Sequence, residues 1–173
     1  MSEIWQSETV IARTQIIAGS LKHFTGRELF PPGSPFTVPS SGWPNAERKT
    51  LNSEPLRFAE KVFHAPFVLV AHGTEADPVL NYGNAAALAL WEMFWAELTR
   101  TPSRLTAEAP NREERARLLA AVTARGFIDD YSGIRISKTG RRFRITQATV
   151  WNLLDAHGVY AGQAAMFSRW EFL

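Results

Sequence analysis

Phe127-Ile-Asp-Asp-Tyr-Ser-Gly-Ile-Arg-Ile-Ser137, Lys138-Thr-Gly140 and Arg141-Arg-Phe-Arg-Ile-Thr-Gln-Ala-Thr-Val-Trp-Asn-Leu-Leu-Asp155 follow one another without a break. Two strand-length runs rich in Ile, Val, Thr and aromatic residues flank a Lys-Thr-Gly turn, which reads as an antiparallel hairpin. On the second run Phe143, Ile145, Trp151 and Leu153 share one parity, with Gln147 and Thr149 between them. Gly133 is a candidate for a bulge in the first run. Ala156-His-Gly158 turns the chain again, and 159–170 reads as one more strand. The end of the chain is therefore a three-stranded meander, with strands near 128–137, 142–154 and 159–170.

Upstream, Phe67-Val-Leu-Val-Ala71 is a short, partly β-branched apolar run of the kind that forms a buried strand. Gly73 to Pro78 supplies turn residues, and 79–82 returns as a second strand. Between the two sheet portions lie helical segments. Asn84 is placed to cap a helix from 85 to about 95, and Asn111 to cap one over 112–125 that Gly126 ends. Leu118, Leu119 and Val122 form the inward side of the latter, and its charges face outward. At the N-terminus, Ile4, Ile11, Ile17, Leu21 and Phe24 recur at helical spacing over 3–24. A short helix is expected over 54–64, with Leu56, Ala59, Val62 and Phe63 on one face. Residues 31–45 hold five prolines and two glycines and read as a loop or extended arm. The expected division is an N-terminal helical segment over 1–30, a Pro/Gly-rich loop over 31–53 and one domain over 54–173.

From residue 66 the order is β-β-α-α-α-β-β-β. It predicts an α+β domain: a five-stranded antiparallel PAS-like sheet with helices on one face and a cleft between them. The same residues carry a resemblance to a family. His64-Ala-Pro-Phe-Val-Leu-Val-Ala-His-Gly73 and Asp77-Pro-Val-Leu-Asn-Tyr-Gly-Asn-Ala85 resemble the opening of MEKHLA domains. So do Pro102-Ser-Arg-Leu105, the stretch from Gly126, Gly140-Arg-Arg-Phe-Arg-Ile145 and Gly162-Gln-Ala-Ala-Met-Phe167. The resemblance runs from about Gly26 to the end. It implies a PAS-like fold and the bacterial, stand-alone form of the family. Plant members follow a homeodomain and leucine zipper, neither of which this sequence contains.

Composition narrows the functions. The 173 residues hold no cysteine, which removes disulfides, thiolate metal sites and cysteinyl–flavin adducts. The helix over 112–125 lacks a histidine, which argues against haem held as PAS domains commonly hold it. No secretion signal and no membrane-length apolar run is seen, so a cytoplasmic protein with no membrane contact is expected. The formal charge is +2. Lys138, Arg141, Arg142 and Arg144 surround one hairpin turn, where a solvated tip explains them better than a nucleic-acid patch.

The cleft is the expected site, lined by Tyr82, Tyr131, Arg135, Gln147, Trp151 and Gln163. Polar side chains among inward apolar ones need partners, and a small organic ligand is one such partner. Arg135 lies between Ile134 and Ile136 in parity, which points it to solvent. If buried, it must pair with Asp129 or Asp130 or hold an anionic ligand. His64 and His72 flank the first strand about 26 Å apart at about 3.3 Å per residue, too far for a shared metal. His72 with Asp77 is a candidate general-base dyad. The favoured function is a sensory module that binds a small molecule. The rivals are an interaction module, dimerising through Ile4, Trp5 and Ile11 of the N-terminal helix, and a small enzyme using His72 and Asp77.

Overall fold

The computed structural model describes residues 3–34 and 54–173. The loop expected over 31–53 lies almost wholly outside them, as does Ser2. Five α-helices are named here: α1 (Glu8–Thr25), α2 (Glu54–Phe63), α3 (Ala85–Trp91), α4 (Trp95–Leu98) and α5 (Arg112–Arg125). The strands are β1 (Val68–His72), β2 (Leu80–Gly83), β3 (Phe127–Ile136), β4 (Arg142–Leu154), β5 (Tyr160–Phe167) and β6 (Arg169–Phe172). All pair antiparallel, in the order β2-β1-β5-β4-β3, with β6 also on β4. The two hairpins thus join through β1 and β5, which are distant in sequence.

The strand expected over 159–170 is broken at Ser168. β5 and β6 nevertheless keep one register along β4: Thr149 faces Met166 and Thr146 faces Arg169. The break lies level with Gln147, which adopts φ 54°. In β3, Asp130 adopts φ 58°, and pairing with β4 shifts between Ile128 and Gly133. Three neighbouring strands therefore bend along one line. The irregularity falls beside Gly133, with Asp130 taking the left-handed conformation.

This bend corrects the parity expected for β4. A residue that leaves the extended conformation exchanges the faces of everything beyond it. Phe143 and Ile145 pack with Val68, Leu90, Trp91 and Phe167 on one side. Beyond Gln147, Ala148 takes that side, while Trp151 and Leu153 pack on the other.

Both faces are covered. Helices α3 and α5 lie over the face expected to carry helices. On the other face, Val10, Ile17 and Leu21 of α1 and Val62 of α2 bury Leu69, Ala71, Tyr82, Trp151, Leu153 and Ala164. Polar bonds fix α1 in place. The Trp151 indole Nε1 donates to the Ile17 carbonyl at 3.2 Å, and Leu154 N donates to Ser20 Oγ at 2.9 Å. Ile4, Trp5 and Ile11, the residues proposed for a homodimer contact, pack within the chain against Leu56, Ala59 and Phe63 of α2.

Local chemistry places the crossover helices. Asn84 caps α3 as expected. Its Oδ1 accepts from Ala87 N and also from Leu69 N, and its Nδ2 donates to the Phe67 carbonyl. One amide thus ties the helix start to β1. Asn111 precedes α5 without capping it through its side chain. In α5 only Val122 is fully buried, while Leu118 and Leu119 are half-buried.

Candidate functional site

A cavity of about 60 Å³ lies between the sheet and the crossover helices. That is room for about four to six water-sized molecules. Its floor comes from β1, β3, β4 and β5, including Val70, Ile145, Ala148, Val150 and Ala165. Trp91 of α3 closes one side, and Arg115, Leu118 and Leu119 of α5 form the cover. The lining is mostly apolar, with His72, Thr106, Arg115, Tyr131, Arg135 and Gln163 as its polar members.

Three of the six residues expected at the site line this cavity: Tyr131, Arg135 and Gln163. The other three are corrections. Tyr82 and Trp151 are fully buried on the opposite face with α1. Tyr82 meets Trp95 edge-on at 5.9 Å, and burial raises its phenol's pKa. Trp151 is there because the bend exchanges the faces of β4, and Gln147 is exposed because it is the bend.

Arg135 is 7% exposed, not solvated as its parity suggested. It pairs with neither Asp129 nor Asp130. Asp129 bonds Arg27 at 2.8 Å and Thr149 at 2.7 Å instead. Arg135 donates from Nη1 to the Ile134 carbonyl and from Nη2 to the Tyr131 hydroxyl. The cavity also holds Arg115, in a stretch that reads as a solvated helix face. No ion pair forms at Arg115 or Arg135 among the described residues. Burial lowers the Arg115 pKa to about 10, helped by repulsion from Arg135, with Tyr131 and Asp77 opposing.

Gln163 is anchored by its amide nitrogen, which donates to Leu119 O, Thr123 Oγ1 and Asn152 Oδ1, each at 3.0 Å. Asn152 Nδ2 donates to Thr123 O, so its Oδ1 is free to accept, and the Gln163 amide cannot be reversed without losing these bonds. Gln163 Oε1 is left buried without a partner, as are His72 Nε2 and Trp91 Nε1. His72 Nδ1 sits 2.8 Å from the Gly73 carbonyl and must be the protonated nitrogen. Nε2 is then a bare acceptor. Burial lowers the His72 pKa and Arg115 adds to the lowering, while the Gly73 bond, hydrogen bonding to Gln163 and the charge of Glu75 oppose it.

The His72–Asp77 dyad is not formed. His72 bonds Gly73, and Asp77 is held by Arg104 Nε at 3.0 and 3.1 Å. The four cations of the β3–β4 hairpin each meet a glutamate: Lys138 with Glu97, Arg141 with Glu92, Arg142 with Glu108 and Arg144 with Glu171. Among the described residues no group of three or more His, Asp or Glu side chains is placed to hold a metal ion. The space of about 60 Å³ is smaller than the tricyclic ring of a flavin or the tetrapyrrole of a haem.

An antiparallel sheet in the order β2-β1-β5-β4-β3, with short crossover helices over a cavity on one face, defines a PAS-type domain. The chain is similar to the PAS domain of a protein from Colwellia psychrerythraea, with a TM-score of 0.55 at 11% identity over 66% of this chain and 92% of that one. It is also similar to an RNA-binding Light-Oxygen-Voltage receptor, with a TM-score of 0.57 at 17% identity over 76% of this chain and 35% of that one. At these identities the likeness is one of fold. The MEKHLA domain model matches residues 11–172, and the chain belongs to the MEKHLA domain family. No curated protein matches the chain. No helix among the described residues is long and apolar enough to cross a membrane.

Proposed function

We propose that the chain is a sensory module whose signal is the occupancy of the cavity beneath α5 by a small molecule. The observation that carries this reading is the set of unpartnered polar atoms in an apolar enclosure: His72 Nε2, Gln163 Oε1 and Trp91 Nε1. A buried polar atom left unpaired costs about 1–3 kcal/mol, and one cavity collects three of them. Apolar pockets with a few convergent polar groups are the usual form of a ligand site.

Helix α5 is the element suited to report occupancy. It supplies Arg115, Leu118 and Leu119 to the cavity, yet buries only Val122 completely. Gln163 grips it through the Leu119 carbonyl and the Thr123 hydroxyl. A ligand that engages Gln163 and covers Leu118 and Leu119 adds contacts to a helix with few of its own, and such elements are where local stability changes first. Amide hydrogen exchange with and without ligand tests this. Slowing in 112–125 on binding supports the reading. Unchanged exchange there with a bound ligand removes α5 as the reporter.

A further inference from the structure

The occupant's chemistry follows from what the cavity lacks, and this step rests on the ligand-binding role just proposed. Two guanidinium groups, Arg115 and Arg135, face the space, and neither enters an ion pair among the described residues. The nearby carboxylates are engaged elsewhere: Asp77 by Arg104, Asp129 by Arg27 and Thr149, and Glu75 by the Val79 amide. Arg115 and Arg135 therefore repel each other, and Asp77, itself bonded to Arg104, offsets this only through its charge. A guanidinium stays charged and presents a planar fork that matches a carboxylate.

On the floor, His72 and Gln163 face each other across paired strands, where His72 of β1 is opposite Gln163 of β5. The tautomer of His72 is set by Gly73 and the amide of Gln163 by three acceptors. Each therefore presents a lone pair and no proton. While His72 is neutral these two acceptors lack a donor, as the two cations lack an ion-pair partner. Trp91 Nε1 adds one unused donor at the side. The volume of about 60 Å³ admits only a few heavy atoms.

We infer that the cavity takes a small carboxylate bearing a hydroxyl or amino donor, a two- or three-carbon hydroxy or amino acid. Its carboxylate lies between Arg115 and Arg135, and its donor meets the floor acceptors, an ammonium reaching both His72 Nε2 and Gln163 Oε1 and a hydroxyl one of them. A plain carboxylate leaves the two acceptors unpaired, and an alcohol leaves the cations unpaired.

Calorimetric titration of the full chain with glycolate, lactate and glycine, against acetate, propionate and ethanol, tests the assignment. A hydroxy or amino acid is expected to bind at least tenfold tighter than the matching plain acid. Arg115→Gln weakens it at least tenfold, and Gln163→Leu erases its advantage over the plain acid. Arg115 is partly exposed, so its variant retains the fold, which circular dichroism verifies. Binding of ethanol with equal or greater affinity than the acids overturns the carboxylate assignment and leaves the sensory role standing. Equal binding of plain and hydroxylated acids overturns the donor half. Binding of none of the six overturns the assignment, and native mass spectrometry of the purified protein then decides whether the sensory role falls with it.

Discussion

Arg135 Nη2 donates to the Tyr131 hydroxyl at 3.1 Å, and the two side chains meet over Gly133. The guanidinium carbon lies 5.4 Å from the tyrosine ring centroid. The three residues share one side of β3, and the missing side chain at Gly133 is what lets the phenol lean across to the cation. A methyl group there would meet the end of Tyr131 and Arg135 Nη1.

Gly133→Ala is therefore a change of site more than of fold. The atoms it displaces are side-chain ends that can swing away. Stability is expected to fall by about 1 kcal/mol, while affinity for the cavity ligand falls about tenfold. Urea unfolding and calorimetry measure the two effects. A loss of stability with affinity unchanged refutes the role given to the Tyr131–Arg135 pair.

Gly162 differs in kind. It adopts φ 117° where β5 passes β1, and a methyl group would collide with the backbone carbonyl of His72. Backbone cannot swing aside. Gly162→Ala is expected to cost about 2–4 kcal/mol in urea unfolding. A cost below about 0.5 kcal/mol contradicts so close an approach.

Helix α1 is part of the core. Trp151→Phe removes the donor to Ile17 O and leaves space behind, and a loss of about 1–3 kcal/mol is expected. A chain without residues 3–25 exposes Leu69, Tyr82, Trp151 and Leu153 and should lose its cooperative thermal transition. Retention of the wild-type melting temperature by the truncated chain refutes this packing.

His72 sets a pH dependence. Its folded pKa lies below the unfolded value of about 6.5, chiefly through burial. As pH falls through that value the unfolded chain takes up the proton first, so stability falls with it until the folded pKa is passed. His72→Gln lacks this term. The stability difference between wild type and variant, followed by chemical unfolding from pH 7 to pH 5, should shift steadily against the wild type. A difference constant over that range contradicts a buried neutral His72.

The antiparallel sheet and its three-strand meander were legible because turn residues and β-rich runs followed one another in a clear order. Of the six residues expected at the cleft, three line the candidate cavity. Tyr131, Arg135 and Gln163 were found as polar residues on strands at the cleft. Trp151 was misplaced because parity was carried straight through Gln147, which has no glycine to mark it and leaves the extended conformation nonetheless. The same kind of bend in β3 lies between Ile128 and Gly133. Alternation around Arg135 pointed it to solvent, but α3, α5 and the turn holding Thr106 cover that face and bury it. Arg115 was missed because its neighbours Glu113 and Arg117 form an exposed i,i+4 pair, and the stretch reads as a solvated helix. The signal was the adjacent Leu118-Leu119, which marks the side of α5 that faces the sheet.

Native mass spectrometry of freshly purified wild type beside Ala148→Leu tests the central claim most directly. Ala148 is fully buried and lines the cavity, and leucine there fills it without adding a polar group. The wild type is expected to carry a small additional mass that is released on denaturation or replaced by added lactate, and the filled variant to carry neither. Each protein at its bare sequence mass, with no adduct from lactate, glycine or ethanol, would contradict a ligand-binding role for the cavity.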